Sequence, residues 1–504
     1  MKVYERKKID WLLTGTPFAL IMVLTVWLFI HPSAANGQIA RIRFFFGDTL
    51  GAYYIVMGIV ALIVSLFLAF SKFGDIVLGE FGEKPKYSFF TWGSMMFTCG
   101  LAADILFYSF SEWMMYADNP YVESLGWAGV YPLFHWSFIP WAFYLVLAVA
   151  FGFMLHVRKR SKQRYSEACR PLIGKKADGL LGRLIDMFAL FALLAGTATT
   201  FSVATPLMAE IITSLTGITV SRTAVTIIIL ILTCVVYTYA AIHGFRGISI
   251  LAKFCIGLFF ALIALVLVIG GQTRFIIENG IQSFGMMIQN FIGLATYTDP
   301  GRTTSFPQDW TIYYWAYWMV WCIAAPFFIG KISQGRTIRQ TVLGGYLFGV
   351  GSTIVSFVVF GNYSLGLQTS GAVDFLAQYS ADGDLYHLII SVVETLPGHQ
   401  IILVMILLCM VAFYATSFDS IAYTAACYSY KKIGSGEKPN NWVILLWCIL
   451  LILLPIALTF SESSMNNIQS ISIISAFPIG IIMVLMVWSF FKDAKEYIGE
   501  GRRK

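Results

Sequence analysis

Twelve apolar runs dominate this 504-residue sequence, and each is long enough to cross a lipid bilayer. A transmembrane helix needs about 20 mostly apolar residues, because the hydrocarbon core of a bilayer is about 30 Å thick. The runs, called spans 1–12, lie at residues 14–31, 51–71, 91–117, 131–156, 184–215, 223–243, 247–271, 309–331, 342–365, 397–430, 441–461 and 467–491. They predict an all-α integral membrane protein with twelve transmembrane helices.

Charged residues make up only 12% of the chain. A soluble protein carries roughly 25%. So few charges cannot cover a water-facing surface, which excludes a soluble enzyme, a disordered chain and a nucleic-acid-binding protein. The eight cysteines form no CxxC pair and are interpreted as small buried side chains.

The basic residues predict the orientation of the chain, because loops on the cytoplasmic side of a membrane are enriched in lysine and arginine. With twelve spans, both termini lie on one side, and 29 of the 34 lysines and arginines fall in segments on that side. The 5 on the other side are Arg41, Arg43, Arg222, Arg274 and Arg302. We therefore expect a multi-pass protein of the cytoplasmic membrane with both termini in the cytoplasm, and this placement explains the net charge of +7 without nucleic acid.

Four of the acidic residues inside predicted spans stand out: Asp104 and Glu112 in span 3, Glu210 in span 5 and Asp419 in span 10. Ionisable side chains are costly inside a bilayer and therefore suggest functional sites. A structural hydrogen-bonding role inside the helix bundle is the alternative for each of them. Outside the spans, residues 275–296 form an amphipathic stretch that is predicted to lie along the membrane interface.

Aromatic residues concentrate in span 8, where residues 310–321 read WTIYYWAYWMVW. An interfacial aromatic belt explains Trp310 and Tyr313 near the end of the span, but not Trp318 and Trp321, which lie two to three turns deeper. Deep tryptophans suit a cationic ligand, because an alkylammonium group is attracted to the face of an aromatic ring. Span 10 adds adjacent hydroxyls at Thr416 and Ser417, which could coordinate sodium together with carbonyls freed by a broken helix.

Three segments together resemble the betaine/carnitine/choline transporter (BCCT) family. The strongest is the tryptophan-rich motif with the following KISQGRTIR at 331–339, and the second is FHWSFIPWAFY at 134–144. The third runs from Met95 through Phe107 to Glu112. The resemblance covers the whole chain and implies a membrane transporter, not an enzyme.

The resemblance also implies a domain organisation. A LeuT-like fold would have two leading helices (14–71) and two inverted five-helix repeats (91–271 and 309–491), with the amphipathic helix 275–296 between them. Cytoplasmic segments would precede and follow these at 1–13 and 492–504. A homotrimer in the lipid bilayer is implied as well.

The family motifs place a substrate site for a quaternary ammonium compound between the repeats. The residues that match the family's aromatic cage are Trp136, Trp141, Tyr144, Tyr317, Trp318 and Trp321, with Asp104 beside them. Thr416 and Ser417 match a sodium site, and Gly100 and Thr197 are further candidate ion ligands. Sodium is the only cofactor expected, as a coupling ion.

These matches favour sodium-coupled uptake of a betaine, carnitine or choline type of substrate by alternating access. A proton-coupled choline transporter is one alternative, because choline carriers of the family resemble this chain in having aspartate at the Asp104 position. A sodium-independent carnitine/butyrobetaine exchanger is another, although Met115 replaces the tyrosine of exchangers. A channel, or a membrane-embedded enzyme that uses Asp104 and Glu112, is less consistent with the isolated polar positions and scattered histidines.

Overall fold

The chain is almost entirely helical in a computed structural model that describes residues 9–501 except 161, 219, 244–245, 432, 434–437, 462 and 464. Its first helices are α1 (Trp11–Ile30), α2 (Pro32–Arg43), α3 (Gly51–Phe70), α4 (Phe89–Cys99), α5 (Ala103–Ala117), α6 (Leu125–His135), α7 (Phe138–Gly152), α8 (Leu180–Thr216), α9 (Arg222–His243) and α10 (Arg246–Ile269). They are followed by α11 (Thr273–Gln289), α12 (Phe291–Thr296), α13 (Ile312–Trp321), α14 (Ala325–Ile332), α15 (Ile338–Thr369, which includes π-helical turns), α16 (Phe375–Asp382), α17 (Leu385–Glu394), α18 (His399–Tyr428), α19 (Asn441–Phe460) and α20 (Met465–Gly501).

The helices follow the predicted apolar runs closely. Among the described residues, 8 helices are long and apolar enough to cross a membrane, or up to 11 if each of three bent helix pairs forms one span. Predicted span 10 coincides with α18, whose stretch His399–Ala415 is apolar but shorter than the others. The structure therefore supports an integral membrane helix bundle, while the count of twelve and the inverted repeats stay predictions.

Predicted spans 3 and 8 are both broken in mid-course. Helices α4 and α5 meet at 64°, and the helical segment that ends at Trp321 meets α14 at 54°. In span 3 the chain passes close to its neighbours at Gly100, where a Cβ atom would lie 2.6 Å from Ser352 Oγ. In span 8 the cause is proline, because Pro326 has no N–H to bond the carbonyl of Cys322 four residues earlier. That carbonyl instead accepts a hydrogen bond from the Tyr165 hydroxyl.

Ion pairs connect segments that the sequence analysis assigned to the same side of the membrane. Ion pairs join segments that were all assigned to the basic side: Lys159 with Glu80, Arg158 and Arg160 with Asp493, and Arg183 with Asp10. Four of the five basic residues assigned to the opposite side pair with acidic residues there: Arg43 with Asp309, Arg302 with Asp48, Arg222 with Asp384, and Arg274 with Glu278. These ion pairs are consistent with the assignment of the segments to two sides, which stays a prediction, as does the cytoplasmic location of the basic side.

The amphipathic stretch predicted at residues 275–296 is helical. It comprises α11 and α12, and α11 turns away from the preceding Ile256–Ile269 by 110°. Its apolar side chains Ile277, Ile281 and Ile288 are exposed, as expected for a helix at a membrane interface. The polar segment that follows α15 forms α16 and α17, and Asp374 and Asp384 cap their N-termini.

Candidate functional site

Four of the predicted cage residues come together in the centre of the bundle: Trp136, Trp141, Tyr144 and Trp318, which we call the aromatic box. The Trp318 ring centroid lies 5.6 Å from that of Trp136, 6.1 Å from Trp141 and 5.0 Å from Tyr144. All four side chains are buried. A cation is attracted to an aromatic face within about 6 Å of the ring centroid, so these spacings allow one organic cation to contact several rings.

Trp136 belongs to the box because the helix is interrupted at this residue. Helix α6 ends at His135 and α7 begins at Phe138, so Trp136 lies outside both. In a continuous helix the N–H of residue 140 would bond the Trp136 carbonyl, but Pro140 has no N–H. The freed carbonyl accepts a hydrogen bond of 2.6 Å from Thr353 Oγ1 on α15.

The indole N–H groups of the box differ in their partners. Trp136 Nε1 donates to Glu112 Oε2 at 2.8 Å. Trp141 Nε1 and Trp318 Nε1 are buried, and neither has a hydrogen-bond partner among the described residues. Buried donors are normally paired, so two unpaired indoles at one site mark a place where a ligand or water can supply acceptors.

Asp104 lies in the first turn of α5, directly after the break in span 3, and is only 2% exposed. Its carboxylate accepts a short hydrogen bond from the Tyr317 hydroxyl, and the same hydroxyl contacts Thr200 Oγ1 at 2.5 Å. The Tyr317 ring stacks on Tyr313 with centroids 5.6 Å apart, and in the described part of the chain no ring contact joins it to the box. Tyr317 therefore lies beside the box as the link between Asp104 and α8, not as one of its rings.

Trp321 also lies apart from the box. It is partly exposed, and its ring contacts Phe418 of α18 at 6.4 Å. A Cβ atom at Gly196 of α8 would come within 3.3 Å of its indole ring. The break in span 8 begins at the next residue, so Trp321 ends α13 on the side of α8 and α18.

The candidate ion ligands do not form a complete site in the described part of the chain. The side chain of Thr416 lies outside the described residues, and Ser417 is half-buried on α18. Thr197 Oγ1 donates within its own helix to the Leu193 carbonyl at 2.7 Å, and Gly100 lies in the break of span 3. Among the residues described, no three His, Cys, Asp or Glu side chains cluster as they would to hold a metal ion.

The other acidic residues predicted inside spans have different surroundings. Glu112 is fully buried and accepts hydrogen bonds from Tyr116 and Trp136. Glu210 lies 3.6 Å from Arg222 near the end of α8, next to the Arg222–Asp384 ion pair. The side chain of Asp419 is outside the described residues. Glu112 thus has hydrogen-bond partners inside the bundle, as the structural interpretation of this residue expects.

Several residues around the box were missed by the sequence analysis. They are Tyr116, Thr311 and Thr353, together with His135, which was noted there only as part of a motif and as one of the scattered histidines. His135 immediately precedes Trp136 in the sequence, and this adjacency could have identified it as a residue close to the box. Nothing in the sequence indicates that Thr353 contacts Trp136, which lies 217 positions earlier.

Helices that break in mid-course around a buried site are found in many secondary transporters. A buried box of aromatic rings is suited to an organic cation. A family model described as "BCCT, betaine/carnitine/choline family transporter" matches residues 12–498. The chain belongs to this family and is therefore a multi-pass membrane transporter of the quaternary ammonium class, not an enzyme.

Two relatives match over most of the chain. A protein named "Carnitine transporter" from Acinetobacter baumannii is 28% identical over 451 residues, which cover 87% of this chain and 80% of the relative. "Uncharacterized transporter YeaV" from Escherichia coli strain K12 is 27% identical over 450 residues, which cover 87% of this chain and 92% of the relative. The bacterial relatives agree with a location in the cell membrane.

Proposed function

We propose that the protein takes up a quaternary ammonium compound across the cytoplasmic membrane by alternating access, with the substrate's ammonium group in the aromatic box. The observation that carries this proposal is the convergence of three buried rings within 5.0–6.1 Å of the buried Trp318 ring, between two broken spans. A quaternary ammonium cannot donate a hydrogen bond, so ring faces are the natural way to bind it in a dry site.

Replacing the central ring tests this proposal. Trp318 contacts all three other rings, so Trp318→Leu should abolish binding of choline, glycine betaine, carnitine and γ-butyrobetaine to the purified protein. Trp447→Phe provides a control, because Trp447 is buried on α19 and belongs to no part of the site. Unchanged affinity in folded Trp318→Leu would contradict the assignment of the box.

Sodium is our proposed coupling ion, with Thr416 and Ser417 as its ligands. The support is the hydroxyl pair in the sequence, which matches sodium-coupled members of the family. Uptake into proteoliposomes should depend on a sodium gradient, and Ser417→Ala should weaken that dependence. Gradient-independent uptake that requires internal substrate would instead identify the exchanger.

Proton-coupled choline transport is the second candidate, and the position of Asp104 favours it. A buried carboxylate next to the box adds attraction for a net cation, whereas a zwitterion brings a carboxylate of its own. Asp104→Asn should then weaken choline binding more than glycine betaine binding. Equal losses for both ligands would count against a role of Asp104 in substrate charge recognition.

The cytoplasmic location of both termini and the homotrimer remain proposals as well. A reporter fused to the C-terminus that is active only in the cytoplasm would test the first. The mass of the detergent-solubilised protein, corrected for bound detergent, would test the second.

A further inference from the structure

Trp136 is the ring of the box with the most polar contacts. Its indole N–H donates to Glu112, its carbonyl accepts from Thr353, and its backbone N–H donates to the Pro132 carbonyl at 3.1 Å. The first bond fixes the rotation of the indole, and the other two fix the backbone that carries it. Rotation matters here, because a cation is attracted to the face of the ring and not to its edge.

Glu112 is in turn held from its other side. Its Oε1 accepts a short hydrogen bond from the Tyr116 hydroxyl, one turn further along α5. The Tyr116 oxygen lies 2.7 Å from His135 Nδ1, and His135 Nε2 lies 3.0 Å from Thr311 Oγ1. All of these side chains are buried, so water does not compete for the bonds.

The protons in this chain of bonds have one consistent order. Tyr116 donates its single hydroxyl proton to Glu112, so its oxygen accepts from His135 Nδ1–H. A neutral imidazole then has Nε2 as its acceptor, and the Thr311 hydroxyl donates to it. Every bond therefore points toward the carboxylate that holds the Trp136 indole.

We infer that Tyr116 and His135 are positioning residues, which act through Glu112 to hold the face of Trp136 toward the substrate. This inference rests on the proposed function of the aromatic box. The chain of bonds joins α5, the break between α6 and α7, and the helical turn that precedes α13, so it ties Trp136 to the outer part of span 8, the span that carries Trp318. The inference predicts that Tyr116 and His135 affect substrate affinity only while residue 136 has an indole N–H that can bond Glu112.

A double-mutant cycle measures that dependence. Tyr116→Phe removes the hydroxyl and should raise the Kd for choline and glycine betaine about 5- to 10-fold. This is less than the roughly 10- to 100-fold that a hydrogen bond to a charged group can contribute, because the effect reaches the substrate only through Trp136. Trp136→Phe keeps an aromatic face but has no N–H, so adding Tyr116→Phe to it should change Kd by less than about twofold. Tyr131→Phe is the control, because Tyr131 packs beside Tyr116 but is not part of the chain of bonds.

His135 provides a second test that does not depend on the folding of Tyr116→Phe. An asparagine can place an amide N–H near the position of Nδ1, so His135→Asn should keep more of the wild-type affinity than His135→Leu. Binding is measured by calorimetry, and thermal stability without ligand is measured in parallel. A purely structural role would lower stability without this difference in Kd between the two variants.

The outcomes separate this inference from the function on which it rests. If Trp318→Leu leaves Kd unchanged, the aromatic box itself is wrong. The positioning role is wrong if Trp318→Leu abolishes binding but Tyr116→Phe does not raise Kd, or raises it equally in the wild-type and Trp136→Phe backgrounds. Equal Kd values for His135→Asn and His135→Leu would overturn the role of His135.

Discussion

Trp136 and Trp141 both contribute rings to the aromatic box, but they are held in different ways. Trp136 is anchored at its polar edge by Glu112 and at its carbonyl by Thr353. Trp141 has no partner for its indole N–H among the described residues and instead packs against two glycines. A Cβ atom at Gly349 would lie 2.3 Å from the Trp141 ring, and one at Gly100 would lie 2.8 Å from it.

The two tryptophans thus illustrate two ways to hold an aromatic ring in a binding site. Hydrogen bonds to Trp136 fix the direction in which its ring faces. Close packing against glycine fixes where the Trp141 ring lies but leaves its N–H available to a ligand or water. Substitutions should therefore cost stability through unsatisfied polar groups on the Trp136 side and through overpacking on the Trp141 side.

The largest effect is expected from Glu112→Leu. This change leaves two buried donors, Tyr116 and Trp136, without an acceptor, at about 1–3 kcal/mol for each. Glu112→Gln should cost less, because one amide oxygen can still accept. Unfolding free energies in mixed micelles give the measurement, and a glutamine variant as unstable as the leucine variant would contradict this account.

The next largest effect is the difference in unfolding free energy between phenylalanine variants of the two tryptophans. Trp136→Phe and Trp141→Phe delete the same atoms, so their cavity costs are similar. Only the first also removes a hydrogen bond to a carboxylate, worth about 1.5–3 kcal/mol. Trp136→Phe should therefore destabilise the protein by that much more, measured as above; equal losses would mean that the Glu112 contact contributes no net stability.

Much of this architecture could be predicted from the sequence. Apolar runs placed span 6 at 223–243 and span 11 at 441–461, where the helices are Arg222–His243 and Asn441–Phe460, because span length depends only on local composition. The family motifs identified Trp136, Trp141, Tyr144 and Trp318, which the structure brings together.

The positions of the other predicted cage residues depend on tertiary contacts that the sequence pattern does not show. Tyr317 was assigned to the cage, but its hydroxyl bonds Asp104 and its ring stacks on Tyr313. Trp321 shares a helical face with Trp318 by spacing, yet it contacts α18 because the helix breaks at Cys322. The partners of a side chain depend on helices distant in sequence, which the pattern along one span does not contain.

On the Trp141 side, Gly349→Ala tests the role of close packing. The new methyl group would overlap a rigid indole, so a loss of about 1–3 kcal/mol and weaker substrate binding are expected. Gly351→Ala is a matched control two residues away, where a Cβ atom meets nothing within 4 Å. Similar stability of the two variants in a size-exclusion thermal assay would show that Trp141 can shift without cost.

The smallest effect concerns the carbonyl of Trp136. Thr353→Val keeps the shape of the side chain but removes the hydroxyl that bonds this carbonyl. A neutral hydrogen bond contributes about 0.5–1.5 kcal/mol, and values within membranes average about 0.6 kcal/mol. Thr341→Val is the control on the same helix, because the Thr341 hydroxyl bonds the Thr337 carbonyl within its own turn. Pro140 has no N–H that could replace the lost donor, so Thr353→Val should also raise the substrate Kd, whereas Thr341→Val should not. Equal Kd values for the two variants would show that the hydrogen bond to the Trp136 carbonyl does not affect the geometry of the box.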